Sequence, residues 1–435
     1  MNLEQGWNKY SLKKQEDRHN KILAFIQASL DEAGLKNLVI FSGGNFLAQI
    51  IMMVYAILIA RFLGPSKLGI YSGIYAILGI TITLVNFGLD IWMLKEAPSQ
   101  DSIRILTGKV LQVKLTTGIF WVIGCVVILP IIKPTAFRTN LVVFAVFDVL
   151  ADALFNTLIA SWNTQGKVKL INIFLLASRI GKLLPLCVLG FLDRLSLSSI
   201  VISRLIVSVV ILFGATVIVK PVLRMGNVRE FPTILKSASE FGYSEILAMI
   251  YANVQVAILS FFSFIDTGLY SPASGIIHAL FIIPNSAYVY LLPRYTKQML
   301  TTKGKDFPQL ARKAFVFFAV MGLVLTLGIL LAGRFIAATL LGSSFKESGN
   351  ILMMLSPILL FKSVSFGFAL LIIITNQQKQ RLLPQLIVAI LALFLNLILT
   401  PRFGINSVPW IYVFCEFLLM FSYFLILWRN RTHYE

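Results

Sequence analysis

Twelve apolar runs separated by short polar loops constrain this chain more than any other feature. A helix needs roughly 20 apolar residues to cross a bilayer, and most of the runs approach that length. Inside lipid each backbone amide must be paired within its own segment, which favours helices. The sequence therefore predicts an all-α integral membrane protein with twelve spans, at residues 37–60, 68–90, 108–132, 139–162, 170–192, 197–219, 239–263, 268–293, 314–339, 351–374, 385–401 and 405–428.

The balance of residue types supports this interpretation and argues against a nucleic-acid partner. Hydrophobic residues make up 57% of the chain and charged residues 13%, with a mean hydropathy of +0.84. The net charge of +19 is large, but Lys and Arg fall in short clusters between apolar runs instead of along one polar face. The three cysteines, Cys125, Cys187 and Cys415, lie inside the runs without metal-ligand spacing, which is typical of packing residues.

The loops on the N-terminal side of the predicted bundle carry most of the basic residues. The positive-inside rule therefore predicts that both termini are cytoplasmic. Residues 1–36 form a basic leader without a secretory signal, and their apolar residues have the spacing of an interfacial amphipathic helix. Residues 220–238 are interpreted as a cytoplasmic linker, and residues 429–435 as a cytoplasmic tail.

Two distant stretches repeat one pattern, and the first begins in the predicted turn Arg61–Ser72 between spans one and two. Aligning Leu68–Lys95 with Thr267–Arg294 without a gap matches a GxYS motif, an asparagine and a terminal base. The matched positions are Gly69, Tyr71, Ser72, Asn86 and Lys95 with Gly268, Tyr270, Ser271, Asn285 and Arg294. Because each half has an even number of spans, we predict two six-helix lobes, 37–219 and 239–428, as parallel repeats around a central cavity.

Ionisable residues inside the spans are costly in lipid, so each is a candidate functional residue. Asp148 and Asp152 in span four are four residues apart and share a helix face. Lys362 lies at comparable depth in span ten, the counterpart of span four. One hypothesis is that Lys362 meets Asp148 or Asp152 across the central cavity; the alternative is a static ion pair that ties helices together.

Further bases lie within or at the ends of spans. Arg179 and Lys182 share a face of span five, where they could line the cavity or extend toward lipid headgroups. Arg204 and Lys114 lie nearer to span ends, which favours extension toward headgroups.

Lys95 and Arg294 end spans two and eight on the cytoplasmic side. Two bases at the inner mouth of the cavity could receive a diphosphate, since Lys and Arg bind phosphate through charge-assisted hydrogen bonds. The alternative is that both serve only the positive-inside bias.

Three other titratable residues lie in the second half. Glu245 near the start of span seven could line the cavity or coordinate an ion. His278 in span eight is typical of a packing residue more than of a proton relay. Glu416 in span twelve is expected to be neutral or paired, with no partner evident from the sequence. The chain has no phosphate-binding GxxxxGKS/T loop, metal-ligand cluster or nucleophile triad, so the sequence predicts no cofactor and favours a transporter over an enzyme.

Several segments, in order along the chain, resemble the polysaccharide transporter family of the MATE/MOP superfamily, which includes O-antigen (Wzx-type) flippases. They are ILIARFLGPSKLGIYSGIYAILG, VNFGLDIWMLKEAP, DTGLYSPASGIIHALFIIPNSAYVYLLPRYTK, LLGSSFKESGNILMMLSPILL and NQQKQRLLPQLIVAILALFLNLILTPRFGINSVPWIYV. The resemblance implies a two-lobe, alternating-access protein of the cell membrane that moves polyprenyl-diphosphate-linked oligosaccharide from the inner to the outer leaflet. Arg61, Lys95 and Arg294 match basic positions of the family pattern, which implies that they bind the diphosphate or sugars of the substrate in the cavity.

The resemblance leaves coupling and partners open. Coupling to protons or sodium would need an acid inside the cavity, and Asp148, Asp152 and Glu245 are the candidates in that order. The implied partners are the lipid-linked oligosaccharide and membrane lipids, with room for a polysaccharide polymerase or chain-length regulator. Two alternatives remain at this point: a cation-coupled multidrug exporter of the same superfamily, whose cavity should favour acids over bases, and a non-transporting scaffold of a glycan-assembly complex.

Overall fold

A computed structural model describes residues 32–96, 100–133, 136–221, 230–302, 307–375 and 377–429, with the side chains of 32–42, 95–102 and 300 outside the description. Most of the predicted leader, part of the predicted linker and nearly all of the predicted tail therefore lie outside it. Within these ranges the regular secondary structure is helical. The α-helices are Glu32–Thr81, Thr83–Asn86, Leu89–Glu96, Gln100–Ile132, Thr139–Thr164, Val168–Phe191 and Leu197–Val219 in the first half, and Phe231–Phe262, Phe264–Leu280, Ile282–Thr301, Phe307–Leu341, Lys346–Leu355, Pro357–Ile374, Leu382–Phe403 and Ser407–Arg429 in the second.

Ten stretches of the described chain are long and apolar enough to cross a membrane, and two of them are long enough to cross it twice. Gly43–Asn86 has 44 residues and Gln378–Arg429 has 52, whereas a single crossing takes roughly 20. Each is interrupted by a glycine with positive φ, Gly64 (69°) and Gly404 (61°). Dividing the two stretches at these glycines gives twelve crossings, in agreement with the predicted all-α membrane fold.

The predicted turn between spans one and two is a sharp break within helix Glu32–Thr81. Gly64 has φ 69° and ψ 172°, a backbone conformation that residues with a Cβ atom rarely adopt. Pro65 follows, and its missing N–H costs nothing at the start of the next helical segment. The Gly-Pro pair therefore ends one span and begins the next within two residues.

The sequence repeat reappears as contacts between equivalent residues of the two halves. The Ser72 hydroxyl donates to the hydroxyl of Ser271, its repeat equivalent 199 residues later, at 2.9 Å. A Cβ added to Gly69 would lie 1.7 Å from the Phe264 carbonyl oxygen, and one added to Gly268 would lie 1.7 Å from that of Pro65. Pro65 and Phe264 lie just before the aligned segments and are separated by the same 199 residues as the aligned pairs. The two halves thus meet through a reciprocal, near-symmetric glycine contact.

Span two bends where span eight bends. The first helical segment of span two ends at Thr81, and that of span eight ends at Leu280, its equivalent in the repeat. Beyond the bend, span two packs on span seven, where a Cβ on Gly88 would lie 2.4 Å from the Gly242 nitrogen. Glycine is therefore required at a second contact between the halves.

Spans four and ten are the most enclosed helices of the described spans. Within the most apolar 18 residues of each span, 56% of the residues are buried in Thr139–Thr164 and 61% in Pro357–Ile374. In the other spans this share is 17–33%. Spans three, six and nine instead present large apolar side chains outward, such as Phe120, Phe213 and Leu331. Lipid is the expected neighbour of such surfaces. The two central helices are also those that carry Asp148, Asp152 and Lys362.

Candidate functional site

The first half contains a buried cluster of paired charges, here called the N-half network: Tyr71, Tyr75, Asp148, Asp152, Lys182, Arg204 and Ser208. Asp148 is fully buried at its centre. Its carboxylate accepts hydrogen bonds from Arg204 Nε at 2.8 Å, Tyr75 Oη at 2.8 Å and Ser208 Oγ at 2.6 Å. An ionised carboxylate is tolerated in such a site because its charge is paired and its oxygens are bonded.

The remaining charges of the N-half network are also paired. Lys182 Nζ lies 2.6 Å from Asp152 Oδ2 and 3.8 Å from Asp148 Oδ1. Arg204 donates to Tyr71 Oη at 2.8 Å, and its guanidinium lies 4.5 Å from the centre of the Tyr75 ring. The two acids therefore face two bases, and the network is close to neutral.

The helical spacing in the sequence explains why the two acids of the network lie side by side, but the base predicted to pair with them was wrong. Asp148 and Asp152 do share a face of span four, as predicted. Lys362 pairs with neither of them; its partner is Glu416 in its own half. The expectation that Arg204 extends to headgroups is also wrong, since it is buried against Asp148.

A smaller ion pair involves the part of span two that lies beyond its bend. Lys114 Nζ contacts Asp90 Oδ2 at 2.8 Å, and the Thr157 hydroxyl donates to Asp90 Oδ1 at 2.7 Å. The Lys114 side chain is fully buried, so the expectation that it extends toward headgroups is wrong as well. Asp90 was missed because a single acid in an apolar run gives no spacing signal.

The second half contains a cavity of about 480 Å³, here called the C-half cavity. Its walls come from spans seven, eight, ten, eleven and twelve. The lining residues are Ser244, Leu247, Ala248, Tyr251, Ala252, His278, Phe281, Lys362, Ser365, Phe366, Ala369, Arg381, Gln385, Val388, Tyr412, Leu419 and Tyr423. Lys362 and Arg381 give this largely apolar and aromatic space a positive character.

Lys362 stands between the C-half cavity and a fully buried acid. Its Nζ lies 2.8 Å from Glu416 Oε1; the lysine side chain is 23% exposed and the glutamate side chain 0%. Nζ also lies 5.7 Å from the ring centres of both Tyr251 and Phe281. Glu416 thus has the partner that the sequence did not reveal.

Arg381 is the second cation of the cavity wall. Its guanidinium lies 5.1 Å from the Tyr423 ring centre, and its Nε is buried without a hydrogen-bond partner. Gln385 Nε2 donates a hydrogen bond to the Tyr423 hydroxyl at 2.8 Å. No acid among the described residues forms a salt bridge with Arg381. In the sequence Arg381 precedes the predicted span eleven, 385–401, so it resembles any other basic residue of a loop.

His278 separates the C-half cavity from a smaller cavity between the halves. Its Nε2 lies 3.0 Å from the Tyr412 hydroxyl. On its other side a cavity of about 290 Å³ is bounded by span one, through Gln49 and Met53, and by span eight. His278 therefore packs and is hydrogen-bonded, while the space between the halves is smaller than the C-half cavity.

The other residues predicted to form the site lie apart from one another. Arg61 is exposed and donates to the carbonyl oxygens of Thr339 and Leu340, at 2.7 Å for Leu340, where span nine ends. Glu245 accepts from the Gly88 N–H at 2.9 Å, across the contact between the halves. Arg294 is exposed and lies 3.9 Å from the ring centre of Tyr290. Arg179 is partly buried one turn before Lys182, and the Lys95 side chain lies outside the description.

Metal binding has no support in the described part of the chain, where no group of three or more His, Cys, Asp or Glu side chains could hold an ion. The described residues combine two halves with a shared interface, one buried cluster of paired charges and one cavity with two bases in its wall.

The chain belongs to the polysaccharide biosynthesis protein family, whose model matches residues 35–299. This confirms the resemblance found in the sequence. Over 394 residues it is 23% identical to a protein of Escherichia coli (strain K12) named "Putative O-antigen transporter", covering 84% of this chain and 89% of that protein.

Solved structures share the fold. The lipid II flippase MurJ in an inward closed conformation superposes with a TM-score of 0.70 at 14% identity, covering 90% of this chain and 87% of that one. A multidrug resistance MATE family transporter of the MOP superfamily, inward-facing, gives 0.63 at 11% identity, covering 89% and 94%. At these identities the likeness concerns architecture alone.

Proposed function

We propose that this protein is a flippase that moves a polyprenyl-diphosphate-linked oligosaccharide from the inner to the outer leaflet of the cell membrane, with both termini cytoplasmic. The observation that carries the proposal is the pair of cations, Lys362 and Arg381, in the wall of the C-half cavity. The family and the relatives named above support a glycan-related cargo. The sugar composition stays open.

The physical argument concerns the diphosphate. A charged headgroup cannot enter hydrocarbon without a large desolvation cost, and fixed cations in a cavity offset that cost. Arg381 lies in the cavity wall with no acid among the described residues paired to it, and Lys362 is exposed enough to be reached. Phosphate prefers such donors because the hydrogen bonds are charge-assisted. The aromatic lining, with Tyr251, Phe281 and Tyr423, offers flat surfaces against which sugar rings can pack.

The cavity also bears on the alternatives. A cation exporter should present acids to its cargo, whereas Lys362 and Arg381 line this cavity and Glu416 lies fully buried behind Lys362. We therefore favour an anionic lipid-linked cargo. Coupling by Asp148, Asp152 or Glu245 stays a prediction, as does a polymerase or chain-length regulator as partner.

A reconstitution experiment tests the proposal. Vesicles containing the purified protein and a fluorescent polyprenyl-diphosphate disaccharide are treated with a membrane-impermeant quencher. Quenching should proceed beyond the outer-leaflet pool in protein-containing vesicles and stop there in empty ones. A fluorescent phosphatidylcholine in parallel vesicles should not be moved. Quenching equal to that of empty vesicles would refute a flippase and support the scaffold alternative.

Two variants connect flipping to the cavity. Replacing Lys362 and Arg381 together with glutamine should slow flipping by about tenfold or more, since two charge-assisted contacts are lost. Lys379→Gln is the matched control, because Lys379 is an exposed base two residues from Arg381 and does not line the cavity. An equal loss in the control would show that total charge, not the cavity, is responsible.

A further inference from the structure

Glu416 is the most unusual acid of the second half. Its side chain is fully buried, and Oε1 accepts a hydrogen bond from Lys362 Nζ at 2.8 Å. Its other oxygen, Oε2, is buried without a hydrogen-bond partner. The acids of the N-half network differ, because they are held by two or more donors each. Glu416 therefore depends on a single base that can also be reached from the cavity.

The groups around Glu416 offer no second cation. Tyr251 of span seven lies beside it, with its hydroxyl near the Glu416 carboxylate but outside the geometry of a full hydrogen bond. Tyr412 and Cys415 are neighbours on its own helix, and His278 of span eight is bonded to Tyr412. Span eleven, Leu382–Phe403, carries Arg402 as its one titratable residue, exposed at the end of the helix. Arg381 lies at the cavity wall against Tyr423.

Lys362 has three N–H donors but a single positive charge, which Glu416 and an entering phosphate group would have to share. A phosphate group entering the cavity would compete with Glu416 for Nζ. If Lys362 turns to the phosphate, Glu416 is left as an unpaired carboxylate inside the protein, which is far more costly than a neutral carboxylic acid there. A proton on Oε2 removes the charge.

We propose that a phosphate-bearing anion entering the C-half cavity takes Lys362 from Glu416, and that Glu416 binds one proton in the same step. The proton comes from hydronium or a buffer acid, whose bond to that proton breaks as an O–H bond forms on Glu416 Oε2, and no bond of the anion breaks. When the anion leaves, Lys362 returns and the proton is released. This inference rests on the proposed function, since it assigns proton coupling to the same cavity.

Proton-linked binding of inorganic pyrophosphate to the purified full-length protein tests the exchange. Calorimetric titration near neutral pH in buffers of different ionisation enthalpy measures the protons taken up per anion bound. Wild type should take up about one proton more than Glu416→Gln, since only wild type can protonate this group. Any proton change of pyrophosphate itself is shared by both proteins and cancels in the difference.

Affinity gives a second readout with opposite signs. Glu416→Gln removes the competitor and should tighten pyrophosphate binding by about tenfold, whereas Lys362→Gln should weaken it by a similar factor. Because misfolding cannot produce tighter binding, tighter binding by Glu416→Gln could not be explained by a misfolded variant. Glu347→Gln, at an exposed acid of the same half, is the control and should match wild type in affinity and proton uptake.

Equal proton uptake by wild type and Glu416→Gln, weaker binding in Glu416→Gln, or no binding of pyrophosphate to wild type would each overturn the exchange. The vesicle assay is independent of these titrations. Flipping without proton-linked binding would leave the proposed function standing and remove only the coupling. Proton-linked binding without flipping would support the exchange at Glu416 and refute the proposed function.

Discussion

Each half of this molecule buries acids beside bases between its helices, but the two halves differ in how completely these charges are bonded. In the N-half network, Asp148 receives hydrogen bonds from three side chains and Lys182 contacts both acids. In the second half, Glu416 has one bonded oxygen and Lys362 borders a cavity of about 480 Å³. The comparison teaches that a buried charge does not by itself mark a site. What distinguishes a site is donor or acceptor capacity left unfilled beside an open space.

The largest expected effect is on the stability of the first half. Asp148→Asn removes the charge that pairs with buried Arg204 and should destabilise the protein by about 3–5 kcal/mol, the cost of breaking a buried pair. Thermal unfolding in detergent measures it. Glu416→Gln should cost less, about 1 kcal/mol, because Lys362 can be hydrated from the cavity. If both variants lose the same stability, the two halves do not differ as described.

The next effect concerns the contact that joins the halves. Gly268→Ala should cost about 1–3 kcal/mol and separate the halves locally, since the added Cβ would lie 1.7 Å from the Pro65 carbonyl oxygen. Cysteines replacing Ser72 and Ser271, in a Cys187→Ser background, report the contact through their disulfide yield. The yield should fall in Gly268→Ala and stay high in Gly275→Ala, where a Cβ meets nothing within 4 Å. Equal yields would mean that the reciprocal glycine contact is not needed.

A smaller effect is expected on the affinity for pyrophosphate when a cation of either half is replaced. Arg381→Gln should weaken pyrophosphate binding by about tenfold, and Arg179→Gln by less than about threefold, if the anion binds in the second half. Equilibrium titration of each purified variant gives both numbers. A larger loss in Arg179→Gln would extend the site into the first half, as the sequence predicted, and would break the comparison.

The smallest effect is expected at Arg61. Its bonds to the last carbonyls of span nine are of the kind that stabilise a helix C-terminus, so Arg61→Gln should cost about 0.5 kcal/mol. Thermal unfolding checks this value, with the exposed Arg402→Gln as a reference. Slower flipping at unchanged stability would instead support the substrate-binding role predicted for Arg61.

Much of the architecture was accessible from the sequence because lipid imposes length and pairing on every span. The twelve runs predicted the crossings. The GxYS repeat predicted a duplicated chain, and only the structure shows that its residues meet between the halves. Ion pairs were harder to predict. Helical spacing placed Asp148 and Asp152 on one face, but which base faces them depends on how spans five and six pack, which periodicity does not encode. Lys362 was therefore given the wrong partner.

Arg381 shows a second limit of sequence reasoning. Its position before span eleven is that of an ordinary loop base, and only the packing of Tyr423 beneath its guanidinium places it in the cavity wall. Asp90 was missed for a related reason, since its partner Lys114 comes from another span. The signal that could have found both is a polar partner on a neighbouring helix, which a single sequence does not display.

The hydrogen bond between Ser72 and Ser271 has a consequence for the symmetry of the chain. Two repeat-equivalent residues that touch each other lie beside a pseudo-two-fold axis, and such self-complementary contacts are what a symmetric dimer makes. Because both halves belong to one chain, they need not be identical, and one half can hold an open cavity while the other keeps its charges paired.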